Sequence, residues 1–175
     1  MALKKHKPNT PGTRGKKIVD STDLTTNKPC KELLKPQKNT GGRNNQGKVT
    51  VTSRGGGVKQ KYRLIDFKRD KYKIEGTVKT IEYDPNRTSF ISLINYIDGE
   101  KRYILTPQGI KIGDKIISGE KVDIKLGNSL PLKNIPLGSI IHCVEMHKNK
   151  GAQLIRTAGS SGILGSPHFA PKAKR

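Results

Sequence analysis

Residues 42–48, GRNNQGK, complete the spacing Gly-x-x-x-x-Gly-Lys by which a phosphate-binding loop grips a nucleotide. Val49 stands where that loop places Ser or Thr on magnesium. The frame is also wrong, because such a loop needs a buried apolar strand before it and a helix after it to aim backbone N–H groups at the phosphate. Here LLKPQKNT precedes, with Pro36 and two lysines, and the alternating VTVT follows. The same residues are coherent as an RNA clamp. Glycines at 41, 42 and 47, and again Gly55, Gly56 and Gly57, let backbone N–H groups approach a phosphate with no Cβ in the way. Arg43, Lys48, Arg54, Lys59, Lys61 and Arg63 supply charge, while Asn44, Asn45 and Gln46 can read sugar or base edges.

Two further arginines, Arg87 in DPNRTS and Arg156 in LIRTAGSSG, lie at strand or loop edges among small polar residues. There a guanidinium can fork onto phosphate while its neighbours reach a 2′-hydroxyl. HCVEMH, residues 142–147, sets Cys143, Glu145 and His147 at two-residue spacing, which resembles a metal half-site. It mixes soft and hard ligands and no second cluster completes a tetrahedron, so structural or surface roles are expected and no metal or cofactor is implied. Cys30 and Cys143 read as free thiols. Asp66, Asp70, Glu82, Asp84, Asp98 and Glu100 sit among lysines and arginines, where salt bridging and turn formation explain them better than acid–base chemistry. No Ser-His-Asp set can be assembled, and the expectation is a protein with no catalytic residues.

Charge names the kind of partner. The 175 residues carry 35 Lys and Arg against 14 Asp and Glu, a net charge of +21 that would repel itself in a compact monomer at low salt. Residues 1–60 hold +11, 61–150 hold +6 and 151–175 hold +4, so the excess sits at the ends. A polyanion is expected. No apolar run approaches the roughly 18 residues of a membrane span, so no membrane partner is expected. The 26 lysines against 9 arginines, with abundant isoleucine and asparagine, fit an A/T-rich genome.

The elements that must present these residues read as short strands. Residues 1–59 form an extended basic arm, broken by Pro8, Pro11, Pro29 and Pro36 and too poor in apolar surface to fold alone. KVTVTSR, YRLIDFKR and IEGTVKTIEYD alternate as strands. In FISLINYIDGEKRYIL, Asp98-Gly99 supplies a two-residue hairpin turn that pairs residues 90–97 with 101–105. A second turn falls at Gly113-Asp114, and a composition break at 127–136 separates two small barrels. The second has only SIIHCVEM and AQLIRTA as strands, too few to close, and an open edge calls for another chain to cover it. No segment carries a helical stripe. The fold class expected is all-β, with a barrel over 60–126, a partial barrel over 127–160 and a basic tail over 161–175.

GGRNNQGK, RGGGVKQKYRLIDFKRD, TIEYDPNR, INYIDGEKRYIL, GNSLPLKNIPLGSIIH and KGAQLIRTAG, in this order and spacing, resemble the large-subunit ribosomal protein L-two family from about residue 2 to 160. The resemblance implies an OB-like barrel followed by an SH3-like one, both packed on large-subunit ribosomal RNA beside neighbouring ribosomal proteins. It places the family's RNA-contacting arginines on Arg87 and Arg156, and basic family positions on Lys68, Arg69, Lys101 and Arg102. A free-standing OB-type RNA-binding factor or chaperone is the rival, but no Trp, five Tyr and three Phe make a thin stacking platform.

After Gly159 the likeness is expected to stop: SSGILGSPHFAPKAKR stands where the family continues its second barrel, and His168 falls in an unrelated context. The family's long C-terminal extension has no counterpart. These departures imply a split protein whose missing strands come from a second chain, a feature associated with the mitochondrial ribosome, with a plastid or bacterial cytoplasm as alternatives. No transit-like segment precedes the match, so synthesis inside the organelle is the corresponding expectation.

Overall fold

A computed structural model describes residues 3–26, 28–55 and 57–165. The chain is all-β: no α-helix occurs among the described residues, only two 3-10 turns at Lys31–Leu33 and Leu132–Asn134. The strands are β1 (Leu3–Lys5), β2 (Lys17–Val19), β3 (Leu34–Pro36), β4 (Lys61–Arg63), β5 (Gly76–Glu82), β6 (Ile91–Tyr96), β7 (Lys101–Leu105), β8 (Lys115–Ile116), β9 (Ile140–Ile141) and β10 (Gly162–Ile163). The largest sheet runs β7-β6-β5-β8, antiparallel throughout, and three strand pairs, β1-β2, β3-β4 and β9-β10, surround it.

The β6–β7 hairpin forms as its Asp98-Gly99 turn requires, with Ile91 opposite Leu105 and Asn95 opposite Lys101. Along β5 the register shifts between Val78 and Thr80, leaving Lys79 as an extra residue. A bulge of this kind bends a strand and sharpens its twist, which curls the sheet into a half-barrel consistent with an OB-like unit. Gly113, with φ of 91°, returns the chain so that its N–H meets Val78 O at 2.9 Å.

Both faces of this sheet are covered, which is why β6 and β7 read as nearly continuous apolar runs. Val78, Ile94, Tyr96 and Ile104 pack with Ile110 and Ile116 on one side. Ile91, Leu93, Tyr103 and Leu105 form the other, covered by Cys30, Leu33, Ile65, Phe67 and Cys143. The second cover therefore comes from the N-terminal arm, the segment before β5 and the C-terminal region together.

That cover includes part of the arm, which packs on the barrel although it is too poor in apolar surface to fold alone. Its residues 25–36 are stitched to the barrel: Thr25 N–H donates to Ile81 O at 3.0 Å and Ile81 N–H to Thr25 Oγ1 at 2.9 Å. Cys30 N–H donates to the Tyr103 hydroxyl at 2.8 Å, and that hydroxyl donates to Glu82 Oε2 at 2.7 Å. Glu82 and Tyr103 are buried, and Thr80 Oγ1 donates to the second carboxylate oxygen at 2.8 Å. Burial, and after it the neighbouring carboxylate, push the Tyr103 phenol well above its ordinary pKa, so it stays a donor. Nearer the N-terminus, β1 and β2 form an exposed ribbon of their own.

KVTVTSR is not a strand. Only an isolated bridge, Arg43 to Val49, forms there, and Val49 and Val51 are exposed. Alternation without a partner strand or a core face to bury makes no sheet. The second barrel is likewise sparser than its sequence pattern: SIIHCVEM contributes β9 and a bridge from Val144 to Leu154, and β9 pairs with β10, inside the segment read as tail.

Tyr103→Phe removes one hydroxyl that serves two buried partners, and should lower unfolding free energy by about 2 kcal/mol. Urea denaturation measures the loss, and amide exchange at Cys30 should accelerate more than exchange within β6. Unchanged exchange at Cys30 would mean that the hydroxyl does not hold the arm.

Candidate nucleic-acid interface

Asn44 organises the loop with which the sequence reading began. Its Oδ1 accepts the N–H of Gln46 at 3.0 Å and of Lys48 at 2.9 Å, while Gly47 N–H donates to Asn44 O at 3.1 Å. The amides that a nucleotide loop would turn on a phosphate are already engaged. Gly42 O accepts the N–H groups of both Thr50 and Val51, and a Cβ at Gly42 would stand 2.2 Å from Val51 O. A Cβ at Gly55 would meet Gly41 Cα at 3.3 Å. The two glycine runs thus lie against each other and close the loop, and an ordinary side chain at Gly42 would open it. Exposed around it are Arg43, Asn45, Lys48, Arg54, Gly57, Lys59 and Lys61, whose cations form no ion pair among the described residues. Gly56 lies outside the described residues. Arg63 turns inward, donating from Nη1 to Lys61 O at 2.8 Å and lining a cavity of about 270 Å³ with Thr26, Glu82 and Tyr83.

Two of the expected RNA-facing arginines are engaged within the protein. Arg69 donates from Nη2 to Gly127 O at 2.9 Å and from Nε to Ser118 Oγ at 3.3 Å, tying the two halves of the chain together. Arg102 pairs with Asp66 at 2.9 Å, with Glu100 at 2.6 Å and with Asp70. Lys71 adds contacts to Asp98 and Glu100 and lies over the Tyr96 ring. These carboxylates fasten the β6–β7 turn to the 66–71 loop, so they do salt-bridge as their neighbours implied. Lys68 is exposed and Lys101 half-buried; neither forms an ion pair among the described residues.

Arg87 and Arg156, 69 positions apart, come together over one ring. The Arg87 guanidinium carbon lies 5.8 Å from the Phe67 centroid and 5.7 Å from that of Tyr62; the Arg156 carbon lies 5.0 Å from Phe67. Asp84, fully buried, fixes the first of them. Its Oδ2 accepts Arg87 Nε at 2.6 Å and its Oδ1 accepts Asn86 N–H at 2.9 Å, which makes DPNR an Asx-type turn. Arg156 arrives because its segment hangs on the first barrel: Ala152 N–H donates to Phe67 O at 2.9 Å and Ala158 N–H to Thr88 Oγ1 at 3.2 Å. Ile155, just before it, holds a φ of 56°, a costly conformation for a β-branched residue.

Sequence reasoning missed Phe67 and Tyr62, and nothing local marks Phe67. Asp84 does form the salt bridge and turn expected of it, with Arg87 and Asn86 as the partners that the sequence left unnamed. HCVEMH separates its candidate ligands. Cys143 packs under the sheet, where burial pushes its thiol up to about 11, and Glu145 accepts the N–H groups of Asn149 and Gly151 at 3.1 and 3.0 Å. Among the described residues no group of three or more His, Cys, Asp or Glu could hold a metal ion, and no helix is long and apolar enough to cross a membrane.

Two family descriptions fit this arrangement of an OB-like half-barrel with a second β unit and a cationic seam between them. "Ribosomal Proteins L2, RNA binding N-terminal domain" matches residues 30–118, and "Ribosomal Proteins L2, C-terminal domain" matches residues 125–172. The class is therefore that of the RNA-binding proteins of the large ribosomal subunit. Within it, this chain belongs to the ribosomal protein L2 family. The first match starts at Cys30, the arm residue held by Tyr103. The second passes through β10 and reaches 172, so the likeness extends beyond the limit near 160 set by the sequence motifs and takes in His168, which lies outside the described residues.

The turn network has a titration signature. Hydrogen bonding to Arg102 lowers the Asp70 pKa, and hydrogen bonding to Lys71 lowers those of Asp98 and Glu100. Depressed folded-state values mean that the fastening is complete above the unfolded pKa and is lost as pH falls through the folded one. Carboxyl NMR titration should give midpoints below the ordinary values of about 3.9 for Asp and 4.3 for Glu, with Lys71→Ala raising that of Asp98 toward its ordinary value. Ordinary midpoints in the parent chain would show that the network does not persist in solution.

Proposed function

We propose that this chain is a structural constituent of the large ribosomal subunit that binds large-subunit ribosomal RNA, supporting its folding and translation without catalysing a reaction. Arg87 and Arg156 form the principal contact. The observation that carries this reading is their convergence over Phe67 from opposite halves of the chain. With Nε held by Asp84, both Nη groups of Arg87 remain to fork onto a phosphate. Arg43, Asn45, Lys48, Arg54, Lys59, Lys61, Lys68 and Lys101 extend the contact as neutralising charge, and Gly55, packed against Gly41, keeps the loop beside them narrow. Asn44, Arg63, Arg69 and Arg102 act by holding this surface in shape.

Each neutralised phosphate adds about −0.7 to −0.9 to the slope of log affinity against log salt. Arg87→Ala and Arg156→Ala should each weaken binding to a large-subunit rRNA transcript about tenfold and flatten that slope by about one. Arg102→Ala should leave the slope unchanged and reduce stability instead. Filter binding across a salt series separates the two behaviours, and a salt-independent affinity would contradict the reading as a whole. A free RNA chaperone is distinguished by sedimentation, since a ribosomal protein stays with the large subunit through a moderate-salt gradient.

The second β unit extends this proposal. Ile140 and Ile163 are direct cross-strand partners, yet they are 76% and 72% exposed, with Leu137 at 64% nearby. Apolar side chains opposite one another on a two-stranded sheet require a cover. We assign that cover to strands of a second chain, in a mitochondrial ribosome, a compartment supported by the Lys-, Ile- and Asn-rich composition. A density map of the intact ribosome should show a strand of another polypeptide beside β9 or β10. A cover contributed by ribosomal RNA or by the same polypeptide would dismiss the split arrangement.

A further inference from the structure

Phe67 touches both arginines and the segment that brings Arg156 in. Its carbonyl receives Ala152 N–H, its Cβ would lie 3.4 Å from a Cβ at Gly151, and its ring sits under both guanidinium groups. The two arginines are held unequally. Arg87 is anchored by a buried carboxylate at 2.6 Å and by a second ring, Tyr62. Arg156 is exposed, and its polar contact within the chain is a long one, 3.5 Å from Nη1 to Ala152 O. A ring whose π face is negative attracts each cation and offsets their mutual repulsion.

We propose that Phe67 is a positioning residue that couples Arg87 and Arg156 into a single RNA-binding element, transmitting the fixed placement of the first to the second. The inference rests on the reading of these arginines as RNA contacts. Loss of Arg87 frees the ring and so misplaces Arg156, which makes their contributions to binding overlap. The residue acts through the arginines and itself contacts no phosphate.

The test is a double-mutant cycle on the full chain, with a transcript of the whole large-subunit rRNA as the probe. Arg87→Ala and Arg156→Ala each lower affinity about tenfold, and the double variant falls short of the product of the two losses by about threefold or more. In the Phe67→Met background, which keeps a flexible apolar filling under the sheet, the shortfall disappears and the losses multiply. Phe67→Tyr keeps the ring and with it both affinity and coupling. Without any variant, NMR of the free chain shows the side-chain Nε–H signals of both arginines shifted by the ring current. Losses that already multiply in the parent, coupling that survives Phe67→Met, or unshifted Nε–H signals each overturn the role of Phe67 while leaving the arginines as RNA contacts. Unchanged binding in both arginine variants overturns the RNA-contact reading, and this inference falls with it.

Discussion

The hydroxyl of Tyr103 is the point on which the architecture depends. It sits on the sheet's second face, accepts a hydrogen bond from the backbone of the arm and donates one to the buried carboxylate of Glu82. A carboxylate so far from water is tolerable only with its oxygens satisfied, and Thr80 completes the set. Because the arm is the hydroxyl's other partner, the group that satisfies Glu82 also ties down the segment around Cys30. A segment too polar to fold alone is thereby made part of the core, and the surface beside it, from Lys59 to Arg63, inherits a rigid base.

Short-range ion pairing around the barrel lets a chain of +21 charge pack against itself. Several carboxylates near the barrel are matched at short range: Asp84 with Arg87, Asp66 and Asp70 with Arg102, Asp98 and Glu100 with Lys71. Internal pairing absorbs part of the positive charge where the protein packs against itself. Much of what remains lies on the 43–61 loop, the β1–β2 ribbon and the seam occupied by Arg156, where counterions or RNA can meet it.

Legibility followed the range of the interactions. The β6–β7 hairpin was readable because Asp98-Gly99 and its flanking runs are contiguous, and the all-β class because no apolar stripe of helical period exists. VTVT misled because alternation records only that a strand could form, while pairing needs a neighbour the chain does not supply there. Arg102 and Arg156 look alike as sequence, each a base beside small or polar residues. One meets three carboxylates and the other an aromatic ring because of positions up to 89 residues away. Phe67 was invisible for the same reason: in LIDFKRD it is one more alternating apolar residue, and only the return of residues 151–156 gives it a second role. The packing of residues 25–33 on the barrel was not readable because their few apolar side chains gain value only from a face built 60 residues later.

The bond from Ala152 N–H to Phe67 O has a consequence for the order of events during synthesis. It joins residues 85 positions apart, and contacts of such separation close late, since the entropy of a long loop must be met before they contribute. A growing chain displays most of its lysines, and Arg87, well before Arg156 can reach the ring. Bulk positive charge is thus available to any polyanion from the start, whereas the paired cluster exists only once both β units have docked. The geometry makes completion of the fold a precondition for the paired cluster, so a half-made or misfolded chain carries the charge without the arrangement.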